Sequence, residues 1–451
     1  MTTFPDNFLW GAATSAYQIE GSPLADGAGP SNWHLFSNSP GKTANGDTGD
    51  LACDHYRRWP QDITLMCELG LKAYRFSLSW SRILPQGTGE VNDRGLDFYE
   101  RLVDGLLASG IQPVPTLFHW DLPAALDDRG GWTNRDSADW FADYAEVVLL
   151  RLGDRVTRWT TLNEPWVVVD GGYVHGVHAP GICDLAKAAH ASHNLLRAHG
   201  QAVRSFRSHG QGEIGIVVNL EPKDPVSDNP ADLAAVRRAD AYMNRQYLDP
   251  LFLGRYPDEM TEIFSGDWPD FAPEDFKLIA EPIDFLGLNY YTRSVNRDAP
   301  DVLPVRAEPV RQPGAPYTEM GWEVHPDSLV RTLVWMKERY GDRPIYITEN
   351  GAAFDDPEPD ARGRVNDPAR REYFRLHLMA VHEAIGRGVD VRGYFAWSLL
   401  DNFEWALGYE KRMGLVRVDF GTQERTIKDS GRFYRDVIAT RGKVLDHEEN
   451  A

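Results

Sequence analysis

Two glutamates in this sequence each end a β-prone run and begin a turn. Glu164 closes "WTTLNE" and is followed by Pro165, and Glu349 closes "RPIYITE" ahead of Asn350 and Gly351. A following proline favours extended backbone, so we expect Pro165 to hold the carboxyl of Glu164 at the end of a strand. Either glutamate alone is typical of a loop or a turn. Two carboxyl groups that face each other are what glycoside hydrolysis requires.

The elements that would bring these glutamates together are eight β-prone runs separated by helical stretches. In 94–110 and 137–153, apolar residues recur at intervals of three and four, as in helices that pack on a sheet. The runs begin near Phe8, Ala73, Gln112, Val156, Glu213, Asp284, Arg343 and Arg392. Eight strand–helix repeats predict an α/β fold, the (β/α)8 TIM barrel. We expect a single catalytic domain over 1–451, with elaborated βα loops and a frayed tail at about 443–451.

Other architectures are also compatible with parts of the sequence. The length of 451 residues allows two or three domains. A doubly wound open sheet carries a glycine fingerprint after its first strand, and "FLWGAATSAYQ" has none. Gly210, Gly212 and Gly215 have the spacing of that fingerprint but precede a strand, so they do not predict a dinucleotide site. The long proline-rich segment 297–326 indicates a lid or the rim of a site.

The carboxyl ends of the predicted strands carry polar and aromatic side chains. Active sites of eight-stranded barrels lie at these ends. Glu164 would end the fourth strand and Glu349 the seventh, on opposite sides of the barrel. The other residues at these ends or in the loop after the last strand are Gln18, Arg75, His119, Trp120, Asn163, Asn289, Tyr291, Asn350, Trp397, Glu404 and Trp405. This ring of carboxylates, amides, aromatic rings and one imidazole suits a sugar.

Composition argues against several functional classes. The formal net charge of −20 opposes binding to nucleic acid and to anionic membrane surfaces, whereas a neutral small-molecule substrate is not repelled. No apolar run is long enough to span a bilayer. The first basic residue is Lys42 and no apolar segment follows Met1, so no signal peptide is predicted and we expect a cytoplasmic protein. The 14 Trp, 18 Tyr and 19 Phe supply flat rings that can pack on a core or on a sugar.

No metal and no cofactor are predicted. Cys53, Cys67 and Cys183 are too few and too scattered for a disulfide framework or a thiolate metal site. His190 and His193 have a spacing that metal ligands can have. No carboxylate or cysteine pattern accompanies them, so we interpret them as packing and capping residues.

Several long motifs resemble those of family-one glycoside hydrolases, the β-glucosidases and their relatives. They are "FLWGAATSAYQIEG", "RFSLSWSRILPQG", "TLNEP", "YITENG" and "FAWSLLDNFEWALGY", and the resemblance runs from about Phe8 to about Tyr434. It implies a retaining β-glycosidase that acts by double displacement through a covalent glycosyl-enzyme. Glu164 would be the acid/base and Glu349 the nucleophile, with their carboxyl groups about 5–5.5 Å apart.

The resemblance also implies roles for the ring of strand-end residues. It places Trp397 under the sugar ring and Trp322 and Trp166 beside the leaving group, and it implies a cis peptide bond at Trp397–Ser398. A nearby Arg75 would lower the pKa of Glu349, although a strand-end salt bridge would look similar. Contacts with the glycone are implied for Gln18, His119, Trp120, Asn163, Glu404 and Trp405, with Asn289 and Tyr291 beside the nucleophile.

Glu404 favours a neutral sugar as substrate. A carboxylate accepts hydrogen bonds from hydroxyls but repels a 6-phosphate. Relatives that cleave phosphorylated glycosides carry a serine and a Lys/Tyr pair in this loop, whereas this chain has "DNFEWALGYEKRMG", with Lys411 and Met413. We expect neutral β-glucosides as substrates, with β-galactosides and β-fucosides also accepted. Met413 stands where most relatives have an aromatic residue, so the ranking of glucose and fucose stays open. The alternatives are a transglycosylating β-glycosidase, a 6-phospho-β-glycosidase and an inactive sugar-binding module.

Overall fold

Eight parallel strands, β1 to β8, close into a barrel in the order in which they occur in the sequence. The computed structural model describes residues 2–446. The strands are β1 Leu9–Ala13, β2 Ala73–Ser77, β3 Gln112–Phe118, β4 Arg158–Asn163, β5 Glu213–Asn219, β6 Phe285–Asn289, β7 Ile345–Asn350 and β8 Val391–Trp397. Each strand coincides with one of the predicted runs, the last beginning one residue earlier at Val391, so the prediction of a (β/α)8 barrel is confirmed.

Helices surround the barrel and connect its strands. The longer α-helices are His55–Glu68, Asp93–Ala108, Ser137–Leu152, Leu185–His209, Pro230–Asp240, Gln246–Leu253, Pro273–Ile279, Pro326–Tyr340, Pro368–Gly386 and Asp429–Thr440. Shorter α-helices are Ala16–Ile19, Asn32–Ser37, Trp80–Ile83, Ala124–Asp127, Pro165–Val169 and Met260–Ile263. Within residues 2–446, no helix combines the length and the apolar character needed to cross a bilayer.

The amphipathic pattern of these helices matches the faces that they bury. In Asp93–Ala108 the residues Leu96, Tyr99, Leu102 and Leu106 recur at intervals of three and four, and all are buried. Ser137–Leu152 buries one face in the same way. Several helices begin with proline, whose fixed φ is already helical and whose missing N–H is not needed at the first position. These prolines are Pro165, Pro230, Pro273, Pro326 and Pro368.

Gly351 lets the chain leave β7 close to the end of β8. A Cβ at this position would overlap the carbonyl oxygen of Trp397. Only glycine allows the backbone of one strand end to approach the other this closely. The glycine of "TENG" therefore fixes the end of the strand that carries Glu349.

Two small sheets lie outside the barrel. One contains Lys223–Pro225, Ser294–Asp298 and Ala307–Pro309, and the other contains Val416–Val418 and Arg425–Ile427. The first sheet takes in part of the proline-rich segment 297–326, which the sequence predicted as a loop. Farther along this segment, an isolated bridge pairs Tyr317 with Glu323 and holds the turn that carries Trp322.

The beginning of the C-terminal tail is folded. Lys443–Asp446 forms a 3-10 helix and Leu445 is buried in the core. Asp446 accepts hydrogen bonds from the backbone N–H and the hydroxyl of Thr2, both at 2.7 Å. The prediction of a frayed tail from about 443 is therefore wrong for these four residues, because Leu445 packs against apolar neighbours. The rest of the predicted tail, 447–451, lies outside the described residues.

Candidate active site

A pocket of about 530 Å³ opens at the carboxyl ends of the barrel strands. Its size suits a small-molecule ligand. Most of the predicted site residues line it: His119, Trp120, Glu164, Trp166, Asn289, Tyr291, Trp322, Glu349, Trp397, Glu404, Trp405 and Met413. Gln18, Arg75 and Asn163 lie behind this wall and hydrogen-bond to its residues.

Both carboxylate oxygens of Glu349 accept strong hydrogen bonds. Arg75 at the end of β2 donates from Nη1 to Oε1 at 2.7 Å, and the hydroxyl of Tyr291 donates to Oε2 at 2.5 Å. Glu349 is buried, and this burial raises its pKa, while the charge of Arg75 and the hydrogen bond from Tyr291 act in the opposite direction. These donors stabilise the ionised form and fix the direction in which its oxygens point.

Glu164 lies on the turn between β4 and the helix Pro165–Val169. Its φ is 47° and its ψ is 66°, so the backbone is left-handed. The prediction that Pro165 holds Glu164 in extended conformation is therefore wrong, because the strand ends one residue earlier and the chain must turn into a helix. The backbone N–H of Glu164 still donates to the carbonyl of Val217 on the neighbouring β5 at 2.9 Å.

The side chain of Glu164 has a different environment from that of Glu349. Its Oε1 accepts one hydrogen bond, from the amide of Asn289 at 2.7 Å. Burial and the nearby charge of Glu349 raise the pKa of Glu164 to about 8. The charge of Glu349 thus favours the protonated form of Glu164, whereas the guanidinium beside Glu349 favours the ionised form of Glu349.

Arg75 and Asn163 join the two carboxyl groups into one buried network. Arg75 donates from Nη2 to the side-chain oxygen of Asn163 at 2.7 Å, and Asn289 donates to the same oxygen at 3.1 Å. The carbonyl of Asn163 accepts from the indole of Trp120 at 3.0 Å. Movement of any of these side chains would therefore alter the hydrogen bonding of both glutamates.

The imidazole of His119 is neutral, and its one N–H group points away from the network of Arg75, Asn163 and Asn289. Burial and the charge of Arg75 hold its pKa well below the ordinary range. The amide nitrogen of Asn163 lies 3.0 Å from its Nε2, so Nε2 accepts and Nδ1 carries the hydrogen. Among residues 2–446, Nδ1 has no hydrogen-bond partner. A buried donor without a partner is suited to a ligand hydroxyl.

The loop after β8 contributes a third carboxyl group. Glu404 lines the pocket, and burial and the charge of Glu349 raise its pKa to about 8. Gln18 donates to the carbonyl of Phe403 at 2.9 Å and to Asn402 at 3.0 Å, and it lies 3.4 Å from Glu404. The hydrogen bonds of Gln18 thus connect the segment after β1 to the loop after β8.

Aromatic rings form much of the pocket wall. Trp120 and Trp405 pack with their ring centroids 4.5 Å apart, and the ring of His119 is stacked at 6.0 Å from Trp397. The Trp397–Ser398 peptide bond is cis, as the resemblance implied. Trp322 packs on Tyr291, with the ring centroids 5.0 Å apart, and both pack against the apolar cluster that includes Trp397.

Left-handed backbone recurs among the residues of this site. Trp120 has φ 80°, Glu164 φ 47° and Trp405 φ 53°. Such conformations are unfavourable for residues other than glycine and persist where the surrounding structure enforces them. Their concentration at one pocket indicates a function for these side chains.

Several residues that line the pocket were not predicted from the sequence. They are Val167, Asp170, Gly171, Val177, His178, Asn219, Leu220, Glu221, Met243, Thr292, Met320, Ala406 and Leu407. Asn219 ends β5 and could have been found by the strand-end rule. The others have no local signal, because their positions depend on how long loops fold.

The two histidines with metal-like spacing lie outside this pocket. His193 accepts or donates hydrogen bonds with Tyr256 at 2.9 Å and Asp275 at 3.1 Å, and its ring stacks on Phe271. His190 packs edge-on against the same ring. In the described part of the chain, no group of three or more His, Cys, Asp or Glu side chains is arranged to hold a metal ion.

Comparison with known proteins identifies relatives along the whole chain. The family model described as glycosyl hydrolase family 1 matches residues 1–443. Beta-glucosidase A of Thermotoga maritima is 52% identical over 441 residues, which cover 97% of this chain and 98% of that protein. A bifunctional beta-D-glucosidase/beta-D-fucosidase of Bifidobacterium breve is 46% identical over 457 residues, covering 97% and 98% of the two chains. The structure of the Thermotoga maritima beta-glucosidase in complex with glucoimidazole matches with a TM-score of 0.95 and 51% identity, covering 98% of this chain and 100% of that one.

Proposed function

Because this chain belongs to glycosyl hydrolase family 1 and is a retaining β-glycosidase, we propose that Glu164 and Glu349 divide its chemistry between them. The observation that supports this assignment is the unequal hydrogen bonding of the two carboxyl groups. Glu349 has a guanidinium and a phenol as donors, whereas Glu164 has one amide. This difference suits an ionised nucleophile beside a protonated acid.

In the first step, Glu349 attacks the anomeric carbon of a β-glucoside. The bond from that carbon to the leaving oxygen breaks, and Glu164 donates its proton to this oxygen. A glycosyl ester of Glu349 forms and the alcohol departs. Arg75 and Tyr291 orient the attacking oxygens, so little reorganisation is needed when the bond forms.

In the second step, Glu164 acts as a base and Glu349 is the leaving group. Esterification removes the negative charge of Glu349, and this charge is one of the causes that raise the pKa of Glu164. The pKa of Glu164 therefore falls, and its carboxylate can take a proton from water. The water oxygen bonds to the anomeric carbon, Glu349 leaves as a carboxylate, and the sugar keeps its β configuration.

The sugar that we propose is a neutral glucoside, with galactosides and fucosides as further substrates. Gln18, His119, Trp120, Asn163, Asn289, Glu404 and Trp405 would bind the glycone, above the ring of Trp397. Glu404 would repel a 6-phosphate, and the ammonium group of Lys411 lies 3.6 Å from Glu319. Met413 is buried at the pocket wall beside Trp397, where its flexible side chain can adapt to sugars that differ at one substituent.

We also propose that the chain works as one catalytic domain in the cytoplasm. The last long helix returns to the first strand, since the hydroxyl of Tyr434 donates to the carbonyl of Gly11 at 2.8 Å. Cys67 and Cys183 are exposed free thiols, which suit a reducing compartment.

Proton NMR of the reaction with 4-nitrophenyl β-D-glucoside tests the mechanism. We expect β-glucose to appear first and then to mutarotate. If α-glucose appears first, the chemistry is inverting and Glu349 is not a nucleophile.

Azide tests the two roles separately. Glu349→Gly should lower kcat by more than about 10⁴-fold, and azide should restore turnover with α-glucosyl azide as the product. Glu164→Ala should respond to azide by forming β-glucosyl azide instead. The opposite pairing of variants and products would exchange the roles of the two residues.

A further inference from the structure

Tyr291 reaches Glu349 from a segment that has already left the barrel sheet. β6 ends at Asn289, and no strand follows directly at Tyr290 and Tyr291. The backbone N–H of Tyr290 keeps one link to β7, because it donates to the carbonyl of Glu349 at 3.0 Å. The hydroxyl of Tyr291 donates to Oε2 of Glu349 at 2.5 Å. The place of this hydroxyl therefore depends on what holds the backbone of Tyr291.

A buried tyrosine on the helix Pro368–Gly386 supports this backbone. The hydroxyl of Tyr373 donates to the carbonyl of Tyr291 at 3.1 Å. The ring of Tyr373 is buried and stacks on His377 of the same helix, with the ring centroids 3.9 Å apart. The helix thus presents a fixed donor to the segment that carries Tyr291.

Asn350 orients the hydroxyl of Tyr373. Its amide nitrogen donates to the carbonyl of Tyr290 at 2.7 Å and to the hydroxyl of Tyr373 at 3.0 Å. A carbonyl can only accept, so this contact fixes the amide, and the amide oxygen accepts from the hydroxyl of Tyr394 at 2.5 Å. Since the Tyr373 oxygen accepts from Asn350, its own hydrogen can point at the carbonyl of Tyr291. The sequence placed Asn350 in the ring of strand-end residues, whereas its side chain lies behind the pocket wall.

We propose that Tyr373 is a positioning residue that holds Tyr291 in place to donate to Glu349. This inference rests on the proposed function, in which Glu349 must be ionised to attack the sugar. A hydrogen bond weakens as its donor moves out of line, so a small displacement of the Tyr291 ring would weaken this contact. Tyr373 and Asn350 restrict that displacement by holding the carbonyls of Tyr291 and Tyr290.

The pH dependence of kcat/KM with 4-nitrophenyl β-D-glucoside tests this role. Burial raises the pKa of Glu349, and the hydrogen bond from Tyr291 is among the contacts that oppose this shift. In Tyr373→Phe that hydrogen bond should be weaker, so the pKa of Glu349 should rise and the acidic limb of the profile should move to higher pH. At the optimum, kcat/KM should fall by about threefold to tenfold, as for the loss of one neutral hydrogen bond. Phenylalanine keeps the ring that stacks on His377, so we expect the variant to fold.

A double-mutant cycle separates positioning from a general loosening of the fold. Tyr291→Phe alone should move the acidic limb to higher pH by at least as much as Tyr373→Phe. In the Tyr291→Phe background, adding Tyr373→Phe should leave the limb in place and change the rate by less than about twofold, because no hydroxyl is left to position. Asn350→Ala removes the donor that orients Tyr373, and it should move the limb in the same direction as Tyr373→Phe.

Tyr144→Phe is the matched control. Tyr144 is buried on the helix Ser137–Leu152, and its hydroxyl donates to the carbonyl of Leu117 on β3 at 3.0 Å. The control therefore also removes a buried hydroxyl that a helix directs at a backbone carbonyl. It should leave the acidic limb at its wild-type pH.

The outcomes separate this inference from the function on which it rests. The positioning role would be overturned if Tyr373→Phe moved the limb no more than Tyr144→Phe does. It would also be overturned if Tyr373→Phe lowered the rate by the same factor with and without the hydroxyl of Tyr291. In both cases a shifted limb in Tyr291→Phe would leave the proposed function standing. If Tyr291→Phe itself left the limb in place, the role proposed for Glu349 would fail, and the positioning role would fail with it.

Discussion

At the scale of single residues, two identical side chains differ because their neighbours differ. Glu349 receives hydrogen bonds from Arg75 and Tyr291, whereas Glu164 receives one from the amide of Asn289. The pKa of Glu164 lies at about 8, raised by burial and by the charge of Glu349. The two carboxyl groups are thus distinguished by hydrogen bonding and charge.

The first prediction concerns the pKa of Glu164. Wild-type kcat/KM should fall as the pH rises through about 8, because Glu164 then loses the proton it must donate. In Glu349→Gln the pKa of Glu164 should be lower, since the neighbouring charge is gone, yet still above its ordinary value because burial persists. A carbon-13 NMR titration of labelled glutamate would measure this. An unchanged pKa in the variant would contradict the charge coupling.

The second prediction concerns Arg75, which lowers the pKa of Glu349. Without its charge, the pKa of Glu349 rises, so the acidic limb of the kcat/KM profile of Arg75→Met should move to higher pH. The rate at the optimum should fall by about 10²–10³-fold, as when a charge-stabilising donor is removed.

Arg75→Lys is the matched control. It keeps the charge but cannot donate to both Glu349 and Asn163 as a guanidinium does. The acidic limb should return towards its wild-type position while the rate stays low. If the acidic limb of the kcat/KM profile stayed at its wild-type pH in both variants, Arg75 would be no more than a strand-end salt bridge.

At the scale of elements, a buried ionic cluster holds the loop that carries Glu404 and Trp405. Lys428 donates to Asp401 at 2.7 Å and to Asp356 at 2.5 Å, and Asp401 accepts from the backbone N–H of Gly414 at 2.9 Å. Arg370 links the carbonyl of Ala352, beyond β7, to that of Arg412 in the same loop, at 3.0 and 2.8 Å. The strand that carries Glu349 and the loop that carries Glu404 are therefore fixed to each other.

The third prediction follows from the burial of this cluster. Lys428→Met should lower the free energy of unfolding by about 3–5 kcal/mol, because Asp356 and Asp401 would remain buried without their shared cation. Arg364→Met breaks an exposed ion pair with Asp429 and should lower it by less than about 1 kcal/mol. Urea unfolding of both variants measures the difference, and equal losses would contradict the prediction.

Strands and helices were easier to predict from the sequence than the turns that connect them. Each strand has a β-prone run, and the helices Asp93–Ala108 and Ser137–Leu152 have an amphipathic pattern, and these signals are local. The strand-end rule placed Glu164 and Glu349 in one pocket. The left-handed turn at Glu164 was missed, because the rule for residues before proline is a preference that the β4-to-helix connection overrides. Val177 and Leu407 were missed because loop folding, which no local pattern encodes, brings them to the pocket.

At the scale of the whole molecule, we expect the buried glutamates of the pocket to lower the stability of the barrel at high pH. Glu164 and Glu404 both have pKa values raised to about 8 by burial and by the charge of Glu349. In the unfolded chain, both lose their protons at their ordinary, lower pKa. The stabilisation of the folded state is therefore complete below the ordinary glutamate pKa and is lost as the pH rises through about 8.

The fourth prediction is that removing the charge of Glu164 stabilises the whole protein in alkali. Glu164→Gln should raise Tm by about 2–5 °C at pH 9, where the wild-type carboxylate is charged and buried, and by much less at pH 5, where it is protonated. Glu338→Gln, on the exposed face of Pro326–Tyr340, is the control and should have no such pH dependence. Differential scanning calorimetry at the two pH values measures both. A gain that is the same at pH 5 and pH 9 would mean that packing, and not the buried charge, limits stability at the site, because only the charge titrates between them.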